Sequence, residues 1–213
     1  MDVNGNIISD DDIENIKHKL SQLIYLPLER FHRNIKVIGY ITFLLKKINI
    51  NPIIVGGHAV ELYTAGHYTT FDVDLVLSGY NYAREILESL GFNKNVGERH
   101  WYHKELALAI EIPDNILCGS MDKVIEVTDE EGYCVYVIGI EDLILDRVRA
   151  AIYWNSSSDR EWAFYLMNAQ WDDIDLQYLK DEAKRESENT NNPGVYNLVL
   201  ELIGSTEELK NSK

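Results

Sequence analysis

Apolar residues recur at helical spacing in the first fifty positions. They lie three or four residues apart between Ile13 and Ile24, after Ser9 and a run of acids, which is typical of a capped helix with an acidic first turn. Pro27 interrupts this pattern. A second apolar run over residues 35–48 has the length of a helix and ends in cations. We expect two N-terminal helices with a packing role.

Residues 52–66 change to a pattern of strand, glycine turn and short helix. A β-branched run leads into Gly56 and Gly57, and about two helical turns follow, closing at Gly66. A glycine turn before a helix exposes backbone N–H groups that can hold a phosphate. The alternative is a tight turn without a ligand.

The segment over residues 71–77 alternates with the period of a strand. Four apolar residues point to one face, while Asp72 and Asp74 point to the other. Backbone spacing of about 6.5–7 Å lets both carboxylates reach one cation, and Mg²⁺ prefers carboxylate and phosphate oxygens. The alternative is a strand at a solvated edge, whose acids face water.

Residues 106–112 alternate in the same way and place Glu111 among alanines. On a neighbouring strand, Glu111 can complete a metal site or help to deprotonate a hydroxyl.

An amphipathic helix is expected over residues 81–92, stopped by Gly91, and two short strands around the DEEG turn suggest a hairpin. Three or four helices are expected after this hairpin.

This order of elements predicts an α/β chain of mixed α+β character. A small mixed sheet flanked by helices forms the core, and a helical C-terminal subdomain follows it. We expect three segments: N-terminal helices packed on the core (residues 1–50), the core itself (51–139) and the C-terminal helices (140–213).

Composition narrows the class of protein. A net charge of −15 opposes a sequence-independent grip on nucleic acid, although a local basic site remains compatible with it. Two cysteines, Cys118 and Cys134, are too few for a disulfide scaffold and fit a reducing compartment. With no signal-peptide pattern at the start and no run of 18 apolar residues, we expect a cytoplasmic protein without a membrane partner.

The run VGGHAVELYTAGHYTTFDVDLVL resembles the nucleotidyltransferase signature of the DNA polymerase beta superfamily, in which a glycine pair opens a helix and Asp-x-Asp follows on the adjoining strand. With RHWYHKELALAIEIPDN, IGIEDLILDRVRAAIYW and SDREWA, the chain is similar to small prokaryotic nucleotidyltransferases related to AbiEii-type abortive-infection toxins. This resemblance spans roughly residues 52–185.

The resemblance implies transfer of a nucleoside monophosphate from an NTP, such as ATP, to a hydroxyl, with release of pyrophosphate and use of Mg²⁺ or Mn²⁺. It assigns the catalytic metal ligands and the nucleotide contacts to six positions of this chain. The metal ligands are Asp72, Asp74 and Glu111, and the nucleotide contacts are Gly56, Gly57 and Thr70.

Relatives place an arginine two residues before this threonine, but here that position is Tyr68. The resemblance points instead to a cation on the helix after Glu141, and Arg147 is our choice because a guanidinium binds phosphate oxygens bidentately. A salt bridge with Asp142 or Asp146 is the alternative. Other cations in reach are Arg99, Arg149 and Arg160.

The histidines carry a weaker signal. His100 and His103 stand three apart on an expected strand, where they do not share a face, so we expect no histidine metal site. His58 and His67 lie near the glycine pair and the aspartates without a required role. Four aromatic residues line a base pocket or pack in the core: Trp101, Tyr102, Trp154 and Trp162.

The acceptor stays open between three classes. Similarity to toxin-like relatives favours RNA or protein and implies a possible antitoxin partner, whereas the GG…DVD stretch is also similar to lincosamide and aminoglycoside nucleotidyltransferases, which modify small molecules. A non-catalytic nucleotide-binding interaction module is the alternative from another class.

Overall fold

The structure is a computed structural model that describes residues 2–3 and 6–212, with side chains from residue 8 to residue 212. In this part of the chain it contains eight α-helices and eight β-strands. The strands are β1 (Asp2–Val3), β2 (Asn6–Ile7), β3 (Ile53–Val55), β4 (Asp72–Val76), β5 (His100–His103), β6 (Leu108–Glu111), β7 (Ile125–Thr128) and β8 (Cys134–Val137). The helices are α1 (Asp10–Leu23), α2 (Arg30–Lys46), α3 (Gly56–Tyr63), α4 (Tyr80–Ser89), α5 (Ile140–Tyr153), α6 (Ser157–Ala169), α7 (Leu176–Thr190) and α8 (Gly194–Asn211).

The two predicted N-terminal helices are present. Ser9 caps α1 through a reciprocal pair of hydrogen bonds, in which the Ser9 hydroxyl accepts from the Asp12 amide and the Asp12 carboxylate accepts from the Ser9 amide. Helix α2 begins at Arg30, earlier than the apolar run at residue 35 predicts. The reason is that a first turn needs good helix geometry rather than an apolar face, and RFHRN contains no helix breaker.

Six strands form the central sheet in the order β5-β6-β4-β3-β8-β7. β4 runs parallel to β6 and β3 runs parallel to β8, while the other neighbours are antiparallel. The predicted α/β class with a small mixed sheet is therefore confirmed. The predicted hairpin around the DEEG turn is the β7–β8 pair.

The alternation in β4 places its apolar face in the core. Val73 is fully buried and Leu75 is nearly so. The strand is shorter than the predicted range of residues 71–77, since it starts at Asp72 and ends at Val76. Phe71 does not pack in the core: its side chain is 81% exposed, and the Arg30 guanidinium lies over its ring. β6 likewise starts only at Leu108, because Ala107 has a positive φ of 49° and belongs to the turn before it.

Four helices follow the hairpin, in agreement with the sequence prediction. α5 packs against α3, α6, α7 and α8, so it connects the sheet layer with the C-terminal helices. Among the described residues, none of the helices combines the length and the apolar character that crossing a membrane requires.

Candidate functional site

The three predicted acids lie together on one face of the sheet. Asp74 on β4 stands directly opposite Glu111 on β6, and Asp72 is two residues earlier on the same face as Asp74. Directly paired residues of adjacent strands have neighbouring side chains. The predicted sharing of one face by these carboxylates is therefore confirmed.

Two nitrogen-bearing side chains, one on β5 and one just before it, contact this cluster. The imidazole Nε2 of His100 lies 2.9 Å from Oε2 of Glu111 and 3.3 Å from Oδ2 of Asp72. A guanidinium nitrogen of Arg99 lies 2.6 Å from the other oxygen of Glu111, although 76% of the Arg99 side chain is exposed. The hydroxyl of Thr70 donates to Oδ1 of Asp72 at 2.7 Å.

Asp74 differs from the other two acids. Among the residues whose side chains are described, its carboxylate has no hydrogen bond or ion pair. Burial, together with the negative charges of Asp72 and Glu111, raises the pKa of Asp74 to about 6 against a partial offset from His100 and Arg147. The site therefore holds a carboxylate whose negative charge is poorly compensated by the protein.

The glycine turn lies against this carboxylate. Val55 pairs with Asp74 across β3 and β4, so the next residue, Gly56, lies beside Asp74 and begins α3. Gly56 has a φ of +60°, and a Cβ atom at this position would collide with Oδ2 of Asp74. A Cβ at Gly57 would lie 3.1 Å from the Cβ of Thr70. The backbone at the start of α3 thus approaches the acids more closely than other residues allow.

These features open into a cavity of about 330 Å³. Strands β4 and β6 contribute acidic walls, α3 contributes Gly56, and α5 contributes Arg147 and, at its C-cap, Trp154. The Trp154 side chain is 81% exposed and has no ring partner among the described residues. The other lining residues are Val55, Asp74, Val76, Arg99, Glu111, Pro113, Leu117, Cys118, Ile138 and Asp146.

Arg147 lines this cavity, but its guanidinium already forms ion pairs with two aspartates of the protein. One guanidinium nitrogen bonds Asp159 at 2.9 Å and another bonds Asp146 at 2.5 Å. The salt-bridge alternative is therefore present, with Asp159 in place of Asp142, which instead accepts from the Ser120 amide. The remaining predicted cations pair elsewhere, Arg149 with Glu186 and Arg160 with Glu201.

The other singled-out residues lie outside the cavity. His58 is fully buried, and burial lowers its pKa to about 4, so it is a neutral core histidine rather than a substrate contact. The Nδ1 atom of His67 lies 2.7 Å from the Thr64 carbonyl. Trp101 is a core residue, and Trp162 packs edge-on against Tyr68.

Sequence reasoning missed that His100 joins the acids. His100 and His103 are indeed on opposite faces, with His103 packed against Phe92, but His100 alone reaches Asp72 and Glu111. A signal was available: a short turn between HWYH and LAIE pairs position 103 with 108, and therefore pairs His100 with Glu111.

Comparisons with known proteins do not place this chain in a family. Neither the protein-family models nor the curated proteins give a match to it. Its function therefore has to be inferred from the geometry of the candidate site and from the motifs that resemble known signatures.

Proposed function

We propose that this chain is a metal-dependent nucleotidyltransferase, which moves a nucleoside monophosphate from an NTP to a hydroxyl. The observation that carries the proposal is the meeting of Asp72, Asp74 and Glu111 on one sheet face. Asp74 lies beside Gly56, and Asp74 and Glu111 line one cavity. The signature-like spacing of the glycine pair and the Asp-x-Asp supports the same reaction class.

The donor set fits Mg²⁺ or Mn²⁺. Three carboxylates offer hard oxygen ligands, and Asp74 is a half-buried acid without a cationic partner among the described side chains. Asp72, Asp74 and Glu111 would hold the ions. When bound, divalent ions would activate the attacking oxygen and neutralise charge on the pyrophosphate that leaves.

The protein's own contribution is to position the nucleotide. The first backbone N–H groups of α3 lack helical partners and lie beside Gly56, where they can donate to phosphate oxygens. Thr70 fixes the orientation of Asp72. The acceptor hydroxyl gives up its proton to a carboxylate of the site, for which Glu111 is the candidate, and its oxygen forms a bond to the α-phosphorus. The bond from this phosphorus to the pyrophosphate breaks, and pyrophosphate leaves.

Arg147 is proposed as a triphosphate contact from the cavity wall. Its two terminal nitrogens are held by Asp146 and Asp159, so binding a phosphate requires a change of partner. Arg99, whose side chain is largely exposed at the same cavity, is the more available cation.

For the acceptor we propose a hydroxyl of RNA or protein, and a toxin role with an antitoxin partner in the cytoplasm. The motif resemblance supports this choice, and the net charge of −15 makes a transient contact more suitable than tight RNA binding. A small molecule of the antibiotic type is the alternative acceptor.

The test is incubation of the full chain with each α-labelled NTP, Mg²⁺ or Mn²⁺, and in turn total RNA, cell lysate protein and aminoglycoside or lincosamide antibiotics. We expect label on RNA or protein, lost in Asp72→Asn/Asp74→Asn and retained in Asp172→Asn, which changes an exposed acid that does not line the cavity. Label on an antibiotic alone would replace the acceptor assignment. Absence of NTP binding with either metal would contradict the proposed reaction.

A further inference from the structure

We propose that His100 is a nitrogen ligand of the divalent ion at Asp72 and Glu111, and that this ligand makes the centre prefer Mn²⁺ to Mg²⁺. The inference deepens the proposed function and rests on it, because it concerns the metal of the same site. The imidazole Nε2 is close to one oxygen of each acid, at 2.9 Å from Glu111 and 3.3 Å from Asp72.

The separations suit a shared ion. Ligand atoms at adjacent corners of an octahedron with bonds of about 2.1 Å are about 3 Å apart. The candidate ligand atoms of Asp72, His100 and Glu111 all lie within 4.8 Å of one another. Small side-chain movements would therefore bring one nitrogen and two oxygens onto a single ion.

The backbone fixes the imidazole on the acid face. His100 stands opposite Glu111 in the β5–β6 register, and Trp101, the next residue, points to the other face and is buried at 1% exposure. Inverting this strand would expose the indole, which makes the orientation of His100 a consequence of the core. Arg99, the other group on Glu111, is mostly exposed and can move away when an ion binds.

The chemistry of the ligand decides the metal. Mg²⁺ takes oxygen ligands almost entirely and retains its waters. Imidazole nitrogen suits transition ions. Mn²⁺ is the weakest binder of the first-row divalent series and takes mainly oxygen ligands, but as a transition ion it accepts an imidazole beside carboxylates more readily than Mg²⁺ does. A centre with two carboxylates and an imidazole is therefore expected to hold Mn²⁺ more tightly than Mg²⁺.

The test uses Mn²⁺ alone as the probe, with electron spin-echo envelope modulation on the full chain. We expect nitrogen coupling that changes when the protein is labelled with ¹⁵N-histidine and that disappears in His100→Gln. The Kd for Mn²⁺ should rise by about tenfold or more in this variant. The Kd for Mg²⁺ should change by less than about fivefold, the scale of one exposed ion pair. His32→Gln, which changes an exposed imidazole, is the matched control.

The outcomes separate this inference from the proposed function. Mn²⁺ bound at the acids without nitrogen coupling would overturn the His100 assignment and leave nucleotidyl transfer intact. Nitrogen coupling in a protein that transfers no nucleotide would support His100 and contradict the reaction. Equal loss of Mn²⁺ and Mg²⁺ affinity in His100→Gln would also overturn the inference, because it indicates a purely electrostatic or structural effect.

Discussion

Asp74→Asn should stabilise the metal-free protein. The pKa of Asp74 rises from an ordinary 3.8 to about 6, mainly through burial. A shift of one pKa unit corresponds to about 1.4 kcal/mol of free energy between the protonated and the ionised carboxyl. After allowance for the part of the side chain that solvent reaches, the ionised carboxylate costs about 2 kcal/mol. The amide has nearly the same shape and carries no charge, so it removes this cost at neutral pH.

The pH dependence gives the sign of the effect. Below about pH 4 the Asp74 carboxyl is protonated in the folded and the unfolded chain. Between about pH 4 and pH 6 the unfolded chain releases the proton while the folded protein keeps it, so the free energy of unfolding falls as pH rises. The variant should therefore gain stability above pH 6 and gain little at pH 4.

His58 acts in the opposite direction over nearly the same range. Its pKa is lowered from 6.5 to about 4, so the unfolded chain takes up a proton first and stability falls as pH falls from 6.5 to 4. In the parent protein, the opposite effects of Asp74 and His58 on the pH dependence of the free energy of unfolding partly cancel. Asp74→Asn should consequently show a steeper loss of stability toward acid than the parent chain.

The assay is urea unfolding in EDTA at pH 7.5 and pH 4, supported by thermal melting. At pH 7.5 we expect a gain of about 2 kcal/mol, or about 4–8 °C in Tm for a chain of this size. Asp172→Asn, the control on the surface, should stay within about 0.5 kcal/mol of the parent. Equal or lower stability of Asp74→Asn at pH 7.5, or an equal gain at both pH values, would refute the reasoning.

Further predictions concern three other positions. Gly56→Ala should lower the free energy of unfolding by about 1–3 kcal/mol, since its φ is +60° and a Cβ meets Asp74; urea unfolding measures this loss. His58→Gln should reduce the loss of stability between pH 6.5 and pH 4, measured in the same way, and an unchanged pH profile would contradict the buried neutral histidine. Trp154→Ala should leave Tm nearly unchanged, because the side chain is 81% exposed, but weaken NTP binding about tenfold in a fluorescence titration.

The alternation of apolar and polar residues predicts the position of the acids, because each of the two strands that carry them has one buried face. Val73 and Ile110 must enter the core, so Asp74 and Glu111 must point away from it. The glycine turn was likewise visible, because only glycine tolerates the backbone beside Asp74. These features depend on local sequence, and alternation within a single strand is enough to find them.

Partners across strands and helices were less accessible to sequence reasoning. Which acid takes Arg147 depends on the packing of α6 against α5, which brings Asp159 to the guanidinium. The place of His100 depends on the length of the β5–β6 turn, in which Ala107 adopts a positive φ that its residue type does not indicate. The ends of predicted strands also differ from the observed ones. Phe71 fits the alternation of β4, but its side chain is exposed and the strand begins at the next residue.

The distribution of charge in the cavity indicates in which form a nucleotide binds. Asp74 has no ion pair among the described side chains, and the terminal nitrogens of Arg147 are occupied by Asp146 and Asp159. A triphosphate without a metal would therefore meet the uncompensated carboxylate of Asp74, and the negative charges would repel each other. We expect ATP to bind with Mg²⁺ or Mn²⁺ and to lose at least about tenfold in affinity in EDTA, measured by calorimetric titration. Equal affinity in EDTA would favour a non-catalytic module that holds the nucleotide away from the acids, since only binding outside this cluster is insensitive to its charge.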